Sequence, residues 1–209
     1  MDPRLLPNLL DVSFCLVALF IAVRSFDIYA SLRQSRLFIL GLSMVLVSLS
    51  SAADFTASYV KVIPLHTDWF LYIGQTVGFL FILLSLARSS EGYLRNLMNL
   101  NILAFVLLLV PLLASAALPA IDPTARTLLG TARLFICLLI LVSYFTAYTS
   151  TPTRFSLFMC AAFFFFTVDF LITFTQYYVP LVSQYVFRDG GDITGVIGLI
   201  VLVAAVSVD

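Results

Sequence analysis

Three ionisable side chains lie inside long apolar segments of this chain and are the ones best placed to do chemistry: Asp54, Arg133 and Asp169. A charged side chain at the centre of a bilayer costs about 2.5–3.5 kcal/mol on insertion scales. Such residues therefore face protein or water, and a guanidinium and a carboxylate at similar depth can pair. We expect the three to form either a lock between helices or the floor of a polar ligand pocket.

Polar neighbours share the helix faces on which the two carboxylates lie. Asp54 belongs to the stretch SSAADFTAS, in which Ser50 and Ser58 stand one turn before and one turn after it. Gln176 follows Asp169 two turns later on the same face. The sequence predicts a polar cluster among helices 2, 3, 5 and 6, with the members Asp54, Arg133, Asp169, Gln75, Gln176, Ser50, Ser58 and Tyr72.

The elements that position these residues follow from composition. Hydrophobic residues make up 62% of the 209 residues, charged residues make up 11%, and the mean hydropathy is +1.09. A soluble domain carries about 25% charged residues, so we predict an all-α integral membrane protein. Each span needs about 20 apolar residues, and the sequence supplies seven such segments: 8–24, 37–60, 69–87, 97–118, 127–148, 155–179 and 192–208.

Basic residues in the connections predict the orientation of these helices. Six arginines lie in the first, third and fifth connections, whereas four basic residues lie at the N-terminus and in the even connections. Arg133 is not counted because it lies inside a predicted span. Because lysine and arginine concentrate in cytoplasmic loops, we expect the N-terminus outside and the C-terminus inside. The predicted polar cluster then lies in the outer half of the membrane.

The first and last thirds of the chain are alike. Segments that begin CLVALFIAV at Cys15 and CLLILVSYF at Cys137 each lead into a helix that carries Asp-Phe and ends in Tyr-Val. We predict a parallel 3+1+3 repeat within one domain of residues 1–209, with halves at about 8–87 and 127–208 and a linker helix at about 97–118.

This plan of helices resembles that of the microbial rhodopsins and of the small seven-helix sugar carriers. Retinal is attached through a Schiff base to a lysine within the bundle, but the single lysine here is Lys61, at the end of predicted helix 2. A haem held between histidines needs histidine inside the membrane, and the single one, His66, lies in a predicted loop. We therefore expect no retinal, haem or metal cofactor, whereas a bound lipid would suit such a chain.

Catalytic arrangements are scarce in this sequence. The pair of carboxylates in RDGGD, residues 188–192, is interpreted as part of a turn in which Asp192 caps predicted helix 7. The one arrangement left open for catalysis is a dyad of Asp54 and Asp169, which occupy matched positions in the predicted repeat. We expect the protein not to be an enzyme.

Two kinds of non-enzymatic membrane protein fit these observations. One is a sensor or receptor-like protein with a polar outer pocket; because predicted helix 7 reaches residue 208, we expect no output domain after it, and a separate partner would read its state. The other is an accessory subunit of a larger membrane complex, or a homo-oligomer. The alternative is a small-solute or proton-coupled transporter that uses Asp54 and Asp169. We expect membrane lipids as neighbours, no nucleic-acid partner, and a prokaryotic inner (plasma) membrane as the location.

Overall fold

The described part of the chain forms seven α-helices. The computed structural model describes residues 5–59, 66–87, 90–178 and 184–207, and within these residues there are no strands. The prediction of an all-α chain is confirmed for these residues, whereas the predicted seven membrane spans are supported for six helices. The helices are α1 (Leu5–Leu32), α2 (Ser35–Tyr59), α3 (Asp68–Ala87), α4 (Glu91–Leu113), α5 (Pro123–Ser150), α6 (Arg154–Tyr178) and α7 (Gln184–Ser207).

Six of these helices, α1 to α6, are long and apolar enough to cross a membrane. The apolar part of α7 among the described residues, Ile193–Ser207, is shorter. By length and composition the chain is therefore a membrane-embedded helical protein. The predicted orientation and the predicted repeat stay predictions.

Several helices are longer than the apolar segments predicted them to be. Past residue 24, α1 continues to Leu32, and on this extension Arg24 and Asp27 form an ion pair of 3.0 Å across one turn. Hydropathy marks the part of a helix that lies in hydrocarbon, whereas the hydrogen-bonded helix continues through the polar residues on either side.

The largest difference from the predicted boundaries lies at the start of α7. The stretch RDGGD falls inside this helix, so the interpretation of a turn with Asp192 as the helix cap was wrong. Glycine lowers helix propensity by about 1 kcal/mol, but Gly191 packs closely against α6, where an added Cβ atom would lie 3.0 Å from Asp169 Oδ1. Packing between helices therefore outweighs local propensity here.

Six of the described helices close into a ring, and α4 lies outside it. Around the described ring, α1 packs on α2, α2 on α3, α3 on α5, α5 on α6, α6 on α7, and α7 back on α1. Helix α4 packs against α2 and α3 from outside. Buried Asn101 of α4 donates from Nδ2 to the carbonyl of Ile39 at 3.4 Å, which ties α4 to α2.

Aromatic rings fill the centre of this ring of helices. Phe79 of α3 contacts Phe163, Phe166 and Phe170 of α6, with ring centroids 6.2, 5.7 and 5.7 Å away. All four side chains are buried. Helices α3 and α6 therefore contact each other through aromatic rings in the middle of the bundle. This contact sets the height along the bundle at which their polar residues approach α5.

Helices α2 and α3 meet through glycine. A Cβ atom on Gly74 would lie 3.0 Å from Ser50 Oγ, and one on Gly78 would lie 3.3 Å from the carbonyl oxygen of Ser43. Small residues allow helices in a membrane to approach this closely. This close contact between α2 and α3 fixes the position of the residues next to Gly74, including Gln75, relative to α2.

A two-residue connection, Arg33 and Gln34, joins α1 to α2. Arg33 has a φ of 56°, in the left-handed region, and its N–H donates to the carbonyl of Tyr29 at 2.8 Å. This arrangement closes the end of α1 in the manner usually assigned to glycine.

Candidate functional site

Arg133 is the centre of the candidate site. It is 5% exposed, and it lies on α5 where α3 and α6 both approach. Its Nη1 donates to Oε1 of Gln75. Its Cζ lies 4.6 Å from the centroid of the Tyr72 ring and 4.8 Å from that of Phe170. The guanidinium is thus clamped between aromatic rings from two other helices, an arrangement worth about 2 kcal/mol or more when it is desolvated.

A second arginine reaches the same tyrosine. Arg126 lies two turns before Arg133 on α5 and is half-buried. Its Nε donates to the Tyr72 hydroxyl at 2.6 Å, and its Cζ lies 5.3 Å from the ring centroid. Two guanidinium groups therefore share one aromatic ring between α3 and α5. We refer to Tyr72, Gln75, Arg126, Arg133 and Phe170 as the arginine cluster.

A small cleft between α5 and α6 ends at Arg133. Its space is comparable to a single water molecule. Gly130 stands in its wall, and a Cβ atom added there would meet no other atom within 4 Å. The residues that line the cleft are Thr127, Gly130, Arg133, Phe170, Thr173 and Phe174.

Asp169 lies beside this cluster but is turned towards α7. The residue is 9% exposed, and a Cβ atom on Gly191 would lie 3.0 Å from its Oδ1. A Cβ atom on Gly195 would lie 2.9 Å from its Oδ2. The two glycines thus form a slot for the carboxylate, which we call the glycine slot. Asp169 and Arg133 both lie within electrostatic reach of the Cys137 thiol, so they occupy the same level of the bundle.

Two serines of the stretch SSAADFTAS, Ser50 and Ser51, form hydrogen bonds to the backbone of α2 itself. Ser50 donates from Oγ to the carbonyl of Leu46 at 2.7 Å, and Ser51 donates to that of Val47 at 3.2 Å. Asp54 lies one turn beyond Ser50 and is partly buried. It is less buried than Asp169, although the two occupy matched positions in the predicted repeat.

Among the side chains predicted to form the polar cluster, Arg133 contacts both Gln75 and Tyr72. The side chains of Ser58 and Gln176 lie outside the part of the structure that is described. Sequence reasoning missed Phe170, because an apolar residue carries no sign of a site. The predicted polar cluster also leaves out Arg126, although a spacing of seven residues places Arg126 on the same helix face as Arg133.

The groups of the arginine cluster suit binding. A guanidinium stays protonated at any physiological pH, and an amide neither gains nor loses a proton, so neither can act as a general base. Among the described residues, no three His, Cys, Asp or Glu side chains come together as metal ligands. The cluster can donate hydrogen bonds and present fixed positive charge.

Comparisons with models of known protein families, with curated proteins and with solved structures found no match for this chain. Its function therefore has to follow from the geometry of its own residues.

Proposed function

We propose that this chain is a receptor-like, non-enzymatic membrane protein in which a ligand at the arginine cluster changes how α3, α5 and α6 pack. The observation that carries this proposal is the position of Arg133. One buried side chain contacts both of the helices that flank α5, and a cleft leads to it. A ligand that contacts Arg133 acts on three helices at once.

The energetics of such a site suit a switch. A ligand shifts a conformational equilibrium only by the difference between its affinities for the two states. At this site, a change of hydrogen-bond partner at Arg133 would weaken the link to Gln75 of α3, while Phe170 of α6 keeps its contact with the guanidinium. The separation between α3 and α5 is the coordinate that such a ligand would change.

Under the predicted orientation the arginine cluster lies in the outer half of the membrane. Helices α2 and α6 end, and helices α3, α5 and α7 begin, at this side of the bundle. The indole of Trp69 donates from Nε1 to the carbonyl of Pro119 at 2.9 Å, which ties the start of α3 to the segment before α5. The two helices that hold the arginine cluster are therefore also linked at the membrane surface.

Native mass spectrometry of the protein, purified gently from the membranes in which it is made, tests this proposal. We expect a small molecule or lipid to accompany the wild type and the Arg154→Gln control, and to be lost from Arg133→Gln. Arg154 is exposed at the start of α6, so the control removes the same charge away from the cluster. A fixed ratio of other membrane subunits, with no such ligand, would replace the receptor proposal by the accessory-subunit one.

Transport is the alternative, and it makes a different prediction. A proton-coupled carrier that uses Asp54 and Asp169 would move protons into proteoliposomes. Asp54→Asn and Asp169→Asn would then each abolish this movement, whereas the receptor proposal predicts no such flux in the wild type.

A further inference from the structure

We propose that exposed arginines at the end of the bundle where α1 joins α2 dock an acidic segment of a partner protein. Under the predicted orientation this end faces the cytoplasm, and the receptor proposal needs a separate partner that reads the state of the protein. The inference therefore rests on the proposed function, because it names the surface and the chemistry of that partner. It is carried by the backbone of Arg33, by the position of Arg95 and by the length of α4.

The backbone of Arg33 adopts a conformation that is costly for a residue with a side chain. Its φ of 56° lies in the left-handed region, where glycine is the usual residue at the end of a helix. Strain of this kind is concentrated at positions that bind or switch. The side chain of Arg33 is exposed, so packing in the core does not explain the residue. What it contributes is a guanidinium group at the tip of the α1–α2 connection.

A second exposed arginine lies on the same side of this end of the bundle. The hydroxyl of Tyr29, on the last turn of α1, lies 4.0 Å from Sδ of Met98 on α4. Arg33 follows Tyr29 by one turn, and Arg95 precedes Met98 by one turn. Because α1 ends and α4 begins at this end, both arginines lie one turn beyond the contact between Tyr29 and Met98.

The first turns of α4 project past the start of α2. Ile39, whose carbonyl accepts the hydrogen bond from Asn101, is four residues into α2, whereas Asn101 is ten residues into α4. The two helices run in the same direction, because Ile39 packs in one cluster with Leu94, and Leu46 packs in another with Leu108. At about 1.5 Å per residue, α4 therefore extends about 9 Å further than α2 at this end. The projecting turns form a wall beside the α1–α2 connection.

The connection and this wall carry side chains of mixed chemistry. Arg33 and Arg95 supply guanidinium groups, and Glu91 supplies a carboxylate one turn before Arg95. Asn99 adds an exposed amide one turn after Arg95, and Leu32, which is 60% exposed, adds an apolar side chain next to Arg33. We refer to these five residues as the docking surface. A layer of anionic headgroups would be repelled by Glu91, whereas a polypeptide can offer an apolar group, amides and charges of both signs.

Charge selects an acidic segment of that polypeptide. Within the described part of the chain, neither arginine of the docking surface forms an ion pair, and the ion pair at this end joins Arg24 to Asp27. Arginine binds carboxylates through paired hydrogen bonds that match in geometry as well as in charge. Carboxylates from a partner would therefore satisfy both guanidinium groups and reduce the repulsion between them.

Photo-crosslinking of the whole protein, in the cells that make it, tests the docking surface. Benzoylphenylalanine replaces Gly92, which is exposed one turn before Arg95 and at which a Cβ atom would meet nothing within 4 Å. The control position is Leu107, which is 59% exposed in the apolar part of α4. Mass spectrometry identifies the molecule that each crosslinker captures and the segment to which it is joined.

We expect the crosslinker at Gly92 to capture a protein through a segment rich in Asp and Glu, and the crosslinker at Leu107 not to capture it. Arg33→Glu combined with Arg95→Glu should lower the yield by about tenfold, because attraction becomes repulsion. Arg154→Glu reverses another exposed arginine at the same end, on α6, and should leave the yield unchanged. Lysine in place of the carboxylates of the captured segment should restore the yield with the doubly reversed protein.

Arg33→Gly separates the role of the charge from that of the backbone. It removes the guanidinium and relieves the strain, so we expect the free energy of unfolding, followed by Trp69 fluorescence, to rise while the yield falls several-fold. Arg33→Lys keeps the charge and should keep the yield. A purely structural role for Arg33 predicts the same yield from all three proteins.

Three results would overturn the inference: crosslinks to phospholipid alone, no protein captured at Gly92, or a yield that does not respond to the charge reversals. The proposed function fails separately. If a partner docks here but no small molecule or lipid accompanies the wild type, the docking surface stands and the receptor function is refuted. If a ligand is lost from Arg133→Gln but nothing is captured at Gly92, only the docking surface is refuted.

Discussion

The glycine slot makes Gly195→Ala the most informative single substitution in this protein. The new Cβ atom would lie 2.9 Å from Asp169 Oδ2 and 3.1 Å from Phe14 Cε2, both closer than ordinary van der Waals contact. Asp169 has little room to move, because it is also bounded by Gly191 and is buried. Gly190→Ala is the matched control, since a Cβ atom there would meet nothing within 4 Å.

The difference between these two variants isolates the cost of the overlap. Each replaces glycine by alanine in α7, which favours the helix by about 0.5–1 kcal/mol. Insertion of a methyl group into a packed site costs about 1–3 kcal/mol. We therefore expect Gly190→Ala to stabilise the protein slightly, and Gly195→Ala to be about 1–3 kcal/mol less stable than Gly190→Ala.

Unfolding in mixed micelles with increasing sodium dodecyl sulfate, followed by the fluorescence of Trp69, measures both free energies of unfolding. Repeating the pair in an Asp169→Ala background removes the carboxylate, so the difference should fall by more than half. If Gly195→Ala and Gly190→Ala agree within about 0.3 kcal/mol, the glycine slot does not constrain α7 and the packing described here is incorrect.

Three further predictions concern the arginine cluster, the first connection and the orientation. Tyr72→Phe should destabilise by about 1 kcal/mol in the same assay, because Arg126 loses a partly exposed hydrogen bond. Tyr72→Leu should cost at least about 1 kcal/mol more, because both guanidinium groups lose the ring; equal effects would contradict the cation–π contacts. Arg33→Gly should stabilise by about 1 kcal/mol, since φ is 56° at this position, and a loss of stability would contradict this conformation. Single cysteines in place of Thr153 and Asp122 should react with an impermeant maleimide from the inside and the outside respectively; the reverse pattern would invert the predicted orientation.

The helix count was predictable from the sequence because the cost of burying polar groups in hydrocarbon acts on whole segments. Long apolar runs separated by short polar ones specify seven helices whatever their packing. Their ends were less predictable, because the extension of α1 through Arg24 and the start of α7 before Gly191 lie outside the strongly apolar runs. Helical hydrogen bonding and close packing set those ends, and hydropathy does not report either.

The candidate site, too, was predictable from the sequence only in part. Ionisable and amide groups in apolar segments draw attention from the sequence, and Arg133 with Gln75 is such a pair. Phe170 contributes a ring that resembles every other phenylalanine of α6 in the sequence, and its contact with Arg133 depends on how α5 and α6 cross. The carboxylate of Asp169 lies against Gly191, which the sequence analysis assigned to a turn, and against Gly195, which it placed in predicted helix 7.

The glycine slot also constrains the order of events during biosynthesis. Asp169 lies on α6, and the glycines that cover its carboxylate belong to the next helix to be made. At about 5–20 residues per second, Gly195 leaves the ribosome some seconds after Asp169. During that interval α6 enters the bilayer region with a carboxylate that α7 does not yet cover. Release of α6 into lipid before α7 arrives carries an energetic cost, so we expect the insertion machinery to handle α6 and α7 as a pair.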